Sequence, residues 1–255
     1  MLFAAIRNVH YQGKIFLYPI ILDVIALVIG IYLVGFIGKP MFSIKLILEM
    51  GFPSVSHISN ISMFANQTTI LNELDAVHVY VVLIVIILIM LRAFFQGGYI
   101  QYLSNIIKEK KYSFKQFMHA GRKYWLQFIL LELVVYLLKI SLAAFLLLFF
   151  PLAGSVFTLF FLIGFRIIFI YLEFTIVEEN VSIPVAVKRC RKYYFKSFYP
   201  TTALIIFMYL LTSLLSYLLH QYWSYAMIFG MIVIYAYVMT IIQAVFMQMY
   251  SKVPR

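Results

Sequence analysis

The chain has 255 residues, of which 65% are hydrophobic and only 11% charged, with a mean hydropathy of +1.00. A soluble domain needs a polar face on most of its elements, so this composition excludes one and points to an all-α polytopic membrane protein. The formal charge of +11 clusters beside apolar runs, where it follows the positive-inside rule and meets anionic lipid head groups; nucleic acid is not an expected partner.

Residues 1–15 carry Arg7, His10 and Lys14 among Leu2, Phe3, Ile6, Val9 and Ile15, the pattern of a short interfacial helix. The first span is expected over 16–37, ended by Gly38-Lys-Pro40. It lacks a small-residue cleavage site, so no cleavable signal peptide is expected. Residues 38–76 form the expected outer segment, with a short amphipathic piece over 41–50 and a Ser/Asn/Thr-rich part after Gly51-Phe-Pro53. The second span covers 77–95, and Gln96-Gly97-Gly98 marks either a hinge or a place of close helix packing.

After the basic loop 108–111, residues 113–125 form a basic surface helix and 125–150 a third span. A tight outer turn over 151–154 leads to a fourth span at 155–177. A second basic surface helix, 182–194, precedes spans five (198–219) and six (225–249). None of these runs alternates with period two, so a β-barrel is not expected. Each has the ~20 residues that cross about 30 Å of hydrocarbon.

Lys and Arg crowd one flank of these spans, leaving only Lys39 and Lys45 on the other. Six transmembrane helices with both termini in the cytoplasm (N-in/C-in) are therefore expected. The two basic segments also align without gaps: Ser113 with Ser182, Arg122 with Arg191, Lys123 with Lys192 and Tyr124 with Tyr193 stand at one constant offset. The expected organisation is a single membrane domain of three units, about 1–107, 112–180 and 181–255. Each unit is a basic interfacial helix plus a hairpin, and pseudo-threefold packing follows as a hypothesis.

Six charges fall inside the spans: Asp23, Arg92, Glu132, Lys139, Arg166 and Glu173. A charge in hydrocarbon is costly and needs a partner or a wet cavity. Glu132 and Lys139 share a helix face, as do Arg166 and Glu173. If the helices are straight, the outer turn puts Lys139 and Arg166 at one level and the two acids about 10 Å nearer the cytoplasm. Two readings stand open: ionic glue between helices, or a polar cavity facing the cytoplasm, with Lys139 and Arg166 inviting an anion. The basic segments add Lys115, Arg122, Lys123, Lys188, Arg189, Arg191 and Lys192 as a surface for anionic lipid.

The remaining signals are weak. The lone Cys190 forms no internal disulfide and reads as an inert thiol. His57, His78, His119 and His220 have no companions at ligand spacing, so neither metal nor cofactor is expected. Glu178-Glu179 is expected to be a local ion pair or start-of-helix charge. Asn60-Ile-Ser62 and Asn66-Gln-Thr68 fit the glycosylation acceptor pattern, which matters only in a eukaryotic secretory setting. There is no phosphate-cradling loop, nucleophile elbow or His-Glu-x-x-His, so the chain is not expected to be an enzyme.

The segment 171–198, with its acidic pair Glu178-Glu179, Ser182 and basic run Lys188 to Lys192 before Tyr193-Tyr194, resembles a known pattern. Together with Gly97-Gly98 and 113–125, it is similar to a broad family of bacterial six-helix inner-membrane proteins. That family includes the membrane domain attached to glycerophosphodiester phosphodiesterases. The likeness covers about 90–215 and lacks the catalytic domain, so it implies a fold and a topology but no activity.

The functional expectation is a non-catalytic protein of the bacterial cytoplasmic membrane, acting in transport or export of, or protection against, a lipid or membrane-active molecule. Alternatives are a permease subunit working with a separate ATPase, or a scaffold for other membrane proteins.

Overall fold

The computed structural model describes residues 2–11, 13–38, 50–59, 63–73, 79–110, 112–150 and 153–253. The described chain is helical, with no strand among the described residues. The helices are α1 (Leu2–Tyr11), α2 (Leu17–Val34), α3 (Val79–Ile107), α4 (Phe114–Phe149), α5 (Gly154–Ile168), α6 (Leu172–Glu178), α7 (Ile183–Lys196), α8 (Phe198–Gln221) and α9 (Tyr225–Lys252). Short 3-10 turns lie at Gly13–Phe16, Val55–His57 and Thr68–Glu73. Six helical segments, Lys14–Val34, Val79–Ile107, Phe114–Phe149, Gly154–Glu178, Phe198–Gln221 and Tyr225–Lys252, are long and apolar enough to cross a bilayer. The chain is a multi-pass membrane protein.

Helix α9 forms the centre of the bundle. In its most apolar stretch 61% of residues are buried inside the protein, against 6% for α4, so α9 is a core helix and α4 a rim helix whose side chains meet lipid. Around α9 pack α1, α2, α3 and α8, while α4 leans on α3 and carries α5 along its outer side.

The α3–α4 contact is the most extensive in the molecule, and glycine permits it. A Cβ on Gly98 would lie 2.8 Å from the Phe117 ring, and one on Gly97 3.0 Å from the Tyr124 Cβ. Gln96-Gly97-Gly98 is thus a close-packing site inside an unbroken helix; α3 runs straight through it.

The structure departs from the expected layout in three places. The basic segment 113–125 is the beginning of α4, one continuous helix of 36 residues, and no separate surface helix precedes the span. Nothing between Lys123 and Leu131 breaks the helix, and a capping box at its start, Ser113 with Gln116, fixes where it begins. The matching segment does stand alone, as α7, which ends at Lys196 before α8 begins at Phe198; the Ser197 Oγ–H between them donates to the Tyr193 carbonyl at 2.9 Å. Pro200, in the first turn of α8, is tolerated because no helical N–H is needed there.

The second departure is the fourth span, which is broken at Phe169–Tyr171 into α5 and α6. Levels deduced from a straight helix therefore do not hold for Arg166 and Glu173. The third concerns the expected outer segment. Its amphipathic piece and both Lys39 and Lys45 lie outside the described residues, but the part from Met50 to Asn66 that is described plunges into the bundle. Met50, Phe52, Val55, Ile58, Met63, Phe64 and Ala65 are all buried.

Candidate functional site

The buried residues 50–59 and 63–66 determine where the first of the intramembrane charges sits. They belong to a re-entrant connection between α2 and α3. Phe52 packs against Phe95 and Tyr99, with ring centroids 6.0 and 5.8 Å away. Gly51, at φ +117°, lies where a Cβ would strike the Gln96 side chain at 2.6 Å. These partners are past the midpoint of α3, towards the end of the bundle where α7 lies. The segment then turns back along α2. The Ala65 N–H donates to the Ala26 carbonyl at 3.0 Å, and Gly30 leaves room for the Met63 carbonyl, which would lie 1.9 Å from a Cβ there. On the other side the Ser216 Oγ–H of α8 donates to the Ile58 carbonyl at 3.0 Å. Irregular backbone at membrane depth survives only when protein covers it, and here α2, α3, α8 and α9 do so.

Asp23 of α2 is the anchor of this segment. It is 1% exposed. The Ser54 hydroxyl donates to Oδ1 at 2.5 Å, and the Val55 N–H donates to Oδ2 at 2.7 Å. Ser54 Oγ is 2.7 Å from Ser56 Oγ, and the Asn66 Nδ2–H donates to it at 3.4 Å. His57 and Arg92 are the positively charged or titratable groups near enough to act on Asp23. Asn66 is 1% exposed; its burial removes it as a glycosylation acceptor, while Asn60 lies outside the described residues.

The other five charges are held elsewhere. Arg92 of α3 pairs with Glu132 of α4, and Arg166 pairs with Glu173 across the α5–α6 break at 2.7 Å. Lys139 is exposed on the rim face of α4. The six thus meet as one carboxylate bound by the re-entrant segment, two ion pairs, and a lysine on the outer surface. Of the readings open in the sequence, ionic pairing describes four of them.

A second polar assembly lies at the α6–α7 junction. Glu178 accepts from Ser104 and Lys108 of α3. Glu179 accepts from Arg189 at 2.5 Å, from the Tyr193 hydroxyl at 2.6 Å and from the Tyr250 hydroxyl of α9 at 2.8 Å. Burial alone pushes the Glu179 carboxyl up, but these hydrogen bonds outweigh it and hold the group below the usual carboxylate range. The Tyr124 hydroxyl donates to the Val177 carbonyl at 3.1 Å and to Asn180 Oδ1 at 3.3 Å. The two tyrosines that match in the sequence repeat, Tyr124 and Tyr193, therefore converge on one turn.

This junction orients α7. Ala186, Cys190, Tyr193 and Tyr194 face inward, while Lys188, Arg189, Arg191 and Lys192 are exposed. Lys188, Arg191, Lys192, Phe195 and Lys196 line an open groove of about 560 Å3. A second groove of about 480 Å3 runs past Tyr112, Lys115, His119 and Lys123; Arg122 is exposed beside it. Neither groove includes any of the six intramembrane charges. Burial pushes the Cys190 thiol up to about 12, which keeps it protonated and unreactive at neutral pH. Among the described residues no group of three His, Cys, Asp or Glu stands ready to hold a metal.

Ser54, Ser56 and Asn66 fall in the expected outer segment, and all three are core residues. The signal was present in the alternation of those polar residues with Phe52, Val55, Ile58, Met63 and Phe64, which is too apolar a set for a solvated loop.

No family model, curated protein or solved structure matches the chain.

Proposed function

We propose that this chain is a non-catalytic protein of the bacterial cytoplasmic membrane, N-in/C-in, that binds an anionic lipid or membrane-active molecule and acts in its transport or export or in protection against it. The observation that carries this reading is the groove on α7. Four cations beside Phe195 combine charge for a phosphate or carboxylate with an apolar wall for an acyl chain. The Glu178–Glu179 junction ties that end of the bundle to α3 and α9. The likeness of 171–198 and its matching segment to six-helix bacterial inner-membrane proteins supports the same membrane and topology.

The test is binding of the purified protein to nanodiscs of phosphatidylglycerol against phosphatidylcholine, read by native mass spectrometry. Retained anionic lipid should fall when Lys188, Arg191 and Lys192 are changed together to Gln. Equal lipid retention by that variant, or no preference between head groups, overturns the reading.

A second reading is a permease subunit that works with a separate ATPase. It is favoured by the exposed basic face of α7, an amphipathic helix presented on firmly anchored packing. Co-purification of a nucleotide-binding protein, lost on substitution of that face, supports it; isolation of the chain alone from its native membrane refutes it.

A further inference from the structure

Of the six charges inside the spans, Lys139 is the one that the bundle places on its lipid-facing surface. It stands on the rim helix α4, 10 residues before Phe149 at the helix end and 14 after Trp125. At about 1.5 Å per residue these distances are roughly 15 and 21 Å. Exposed apolar side chains continue on both sides of it: Leu130, Leu133 and Leu137 towards the start of α4, and Ile140, Phe145 and Leu148 towards its end. Hydrocarbon therefore surrounds the ammonium near mid-membrane. From that depth a lysine stem shortens the distance to a head-group layer but does not span it.

The bundle does not answer this charge. Among the described residues Lys139 forms no ion pair and no hydrogen bond. Glu132, the acid on the same face of α4, lies seven residues away, about 10 Å along the helix, and is engaged by Arg92. Glu173 is engaged by Arg166. An ionisable side chain in hydrocarbon is costly and persists where a partner or water meets it. The helix that carries Lys139 is also the one least covered by its own bundle, with 6% of its most apolar stretch buried.

We propose that this face of α4 docks a transmembrane helix of another protein, one that carries an aspartate or glutamate at mid-membrane depth to pair with Lys139. The charge decides the chemistry of the partner. Lipid phosphates lie in the head-group layers, so a side-chain carboxylate on a neighbouring helix is the anion that can stand at this level. Polar contacts hold membrane helices together where apolar surface gives no driving force, lipid being as apolar as leucine. The flanking surface suits a helix. Ala143, one turn beyond Lys139 on the same face, leaves room for close approach, and Tyr136, one turn before it, is exposed. A second copy of this chain does not fit, because a twofold axis along the membrane normal sets Lys139 against Lys139 at one depth. The inference goes beyond the lipid-handling reading, and its surface is separate from the α7 groove.

The experiment is site-specific photo-crosslinking of the full-length chain in its native membrane, with benzoyl-phenylalanine replacing Tyr136 or, separately, Ala143. Adducts are identified by mass spectrometry. The expected result is a protein adduct crosslinked at a transmembrane helix that contains an Asp or Glu within its spanning stretch. Its yield should fall about tenfold in Lys139→Leu, the change that an interhelical polar contact supports, and stay near the native level in Lys139→Arg. Neutralising the partner's carboxylate should lower it to the same extent. Purified Lys139→Leu should unfold in detergent at or above the native midpoint, because Lys139 holds nothing within its own chain. No protein adduct, adducts with lipid or a second copy alone, a crosslinked helix without a carboxylate, or an unchanged yield in Lys139→Leu overturns the proposal. A lowered unfolding midpoint does so too, since it assigns Lys139 to a contact inside the bundle.

Discussion

Glycine 30 shows how finely the interior of this bundle is fitted. A methyl group there would overlap the Met63 carbonyl oxygen at 1.9 Å, whereas one on Gly164 of α5 meets nothing within 4 Å. Gly30→Ala should therefore destabilise the protein by about 1–3 kcal/mol, the usual cost of overpacking. Gly164→Ala should be neutral or slightly stabilising through helix propensity. Unfolding midpoints of the two variants in one detergent check this, and equal midpoints would refute the close approach of the re-entrant segment to α2. Glu179 carries a pH prediction at the same scale. Its folded carboxyl titrates below the ordinary range, so the stability it contributes is complete above about pH 4.3, the ordinary glutamate value. That stability is lost as pH falls through the folded value. Unfolding midpoints followed downward from neutral pH should show an acid-induced loss that Glu179→Gln largely removes. A variant with the same acid profile as the native chain would show that the three hydrogen bonds to Glu179 contribute nothing.

At the scale of elements, the connection between α2 and α3 is the part whose role changes most between sequence and structure. Its serines and asparagine resemble a solvated loop, but they satisfy one another and Asp23 inside the bundle. Cysteine introduced at Ser56, in a Cys190→Ala background, should resist a membrane-impermeant maleimide applied to either face. Cysteine at Gly38, beyond the C-terminal end of α2, should react from one face. Rapid labelling at position 56 in the folded protein would place the segment outside the membrane. The paired basic segments make a related point about elements. Their residues match, yet 113–125 continues into α4 while 182–194 stops at Ser197. Helix continuity was decided by the residues that follow the motif, and the motif itself does not contain them.

For the whole molecule, burial divides the bundle into a core helix, α9, and a rim pair, α4 and α5. The exposed Leu133, Tyr136, Leu137 and Ile140 on α4 are what a lipid-facing helix presents. The positive charge at the α7 end leads to a topological expectation, because the positive-inside rule orients the bundle by its short loops. Cysteine at Ser182, in a Cys190→Ala background, should stay unlabelled by an impermeant reagent in intact cells and react once they are permeabilised. Labelling in intact cells would invert the molecule and remove the cytoplasmic assignment of the α7 groove.

The sequence by itself determined the class of object. Runs of about twenty apolar residues can satisfy their backbone in lipid only as helices, so the spans were legible wherever hydropathy was continuous. Their flanking cations and the six intramembrane charges were legible for the same reason, since composition is a local property of the chain. Only the tertiary structure decided who meets whom: that Arg92 takes Glu132, that Arg166 turns to Glu173 across a helix break, and that Asp23 holds a segment 31 residues on. Such pairings depend on helix rotation, on breaks such as the one at 169–171 and on close approaches at Gly30, Gly97 and Gly98. Those are set by packing between segments remote in sequence, where the period of a single helix carries no information about its neighbours.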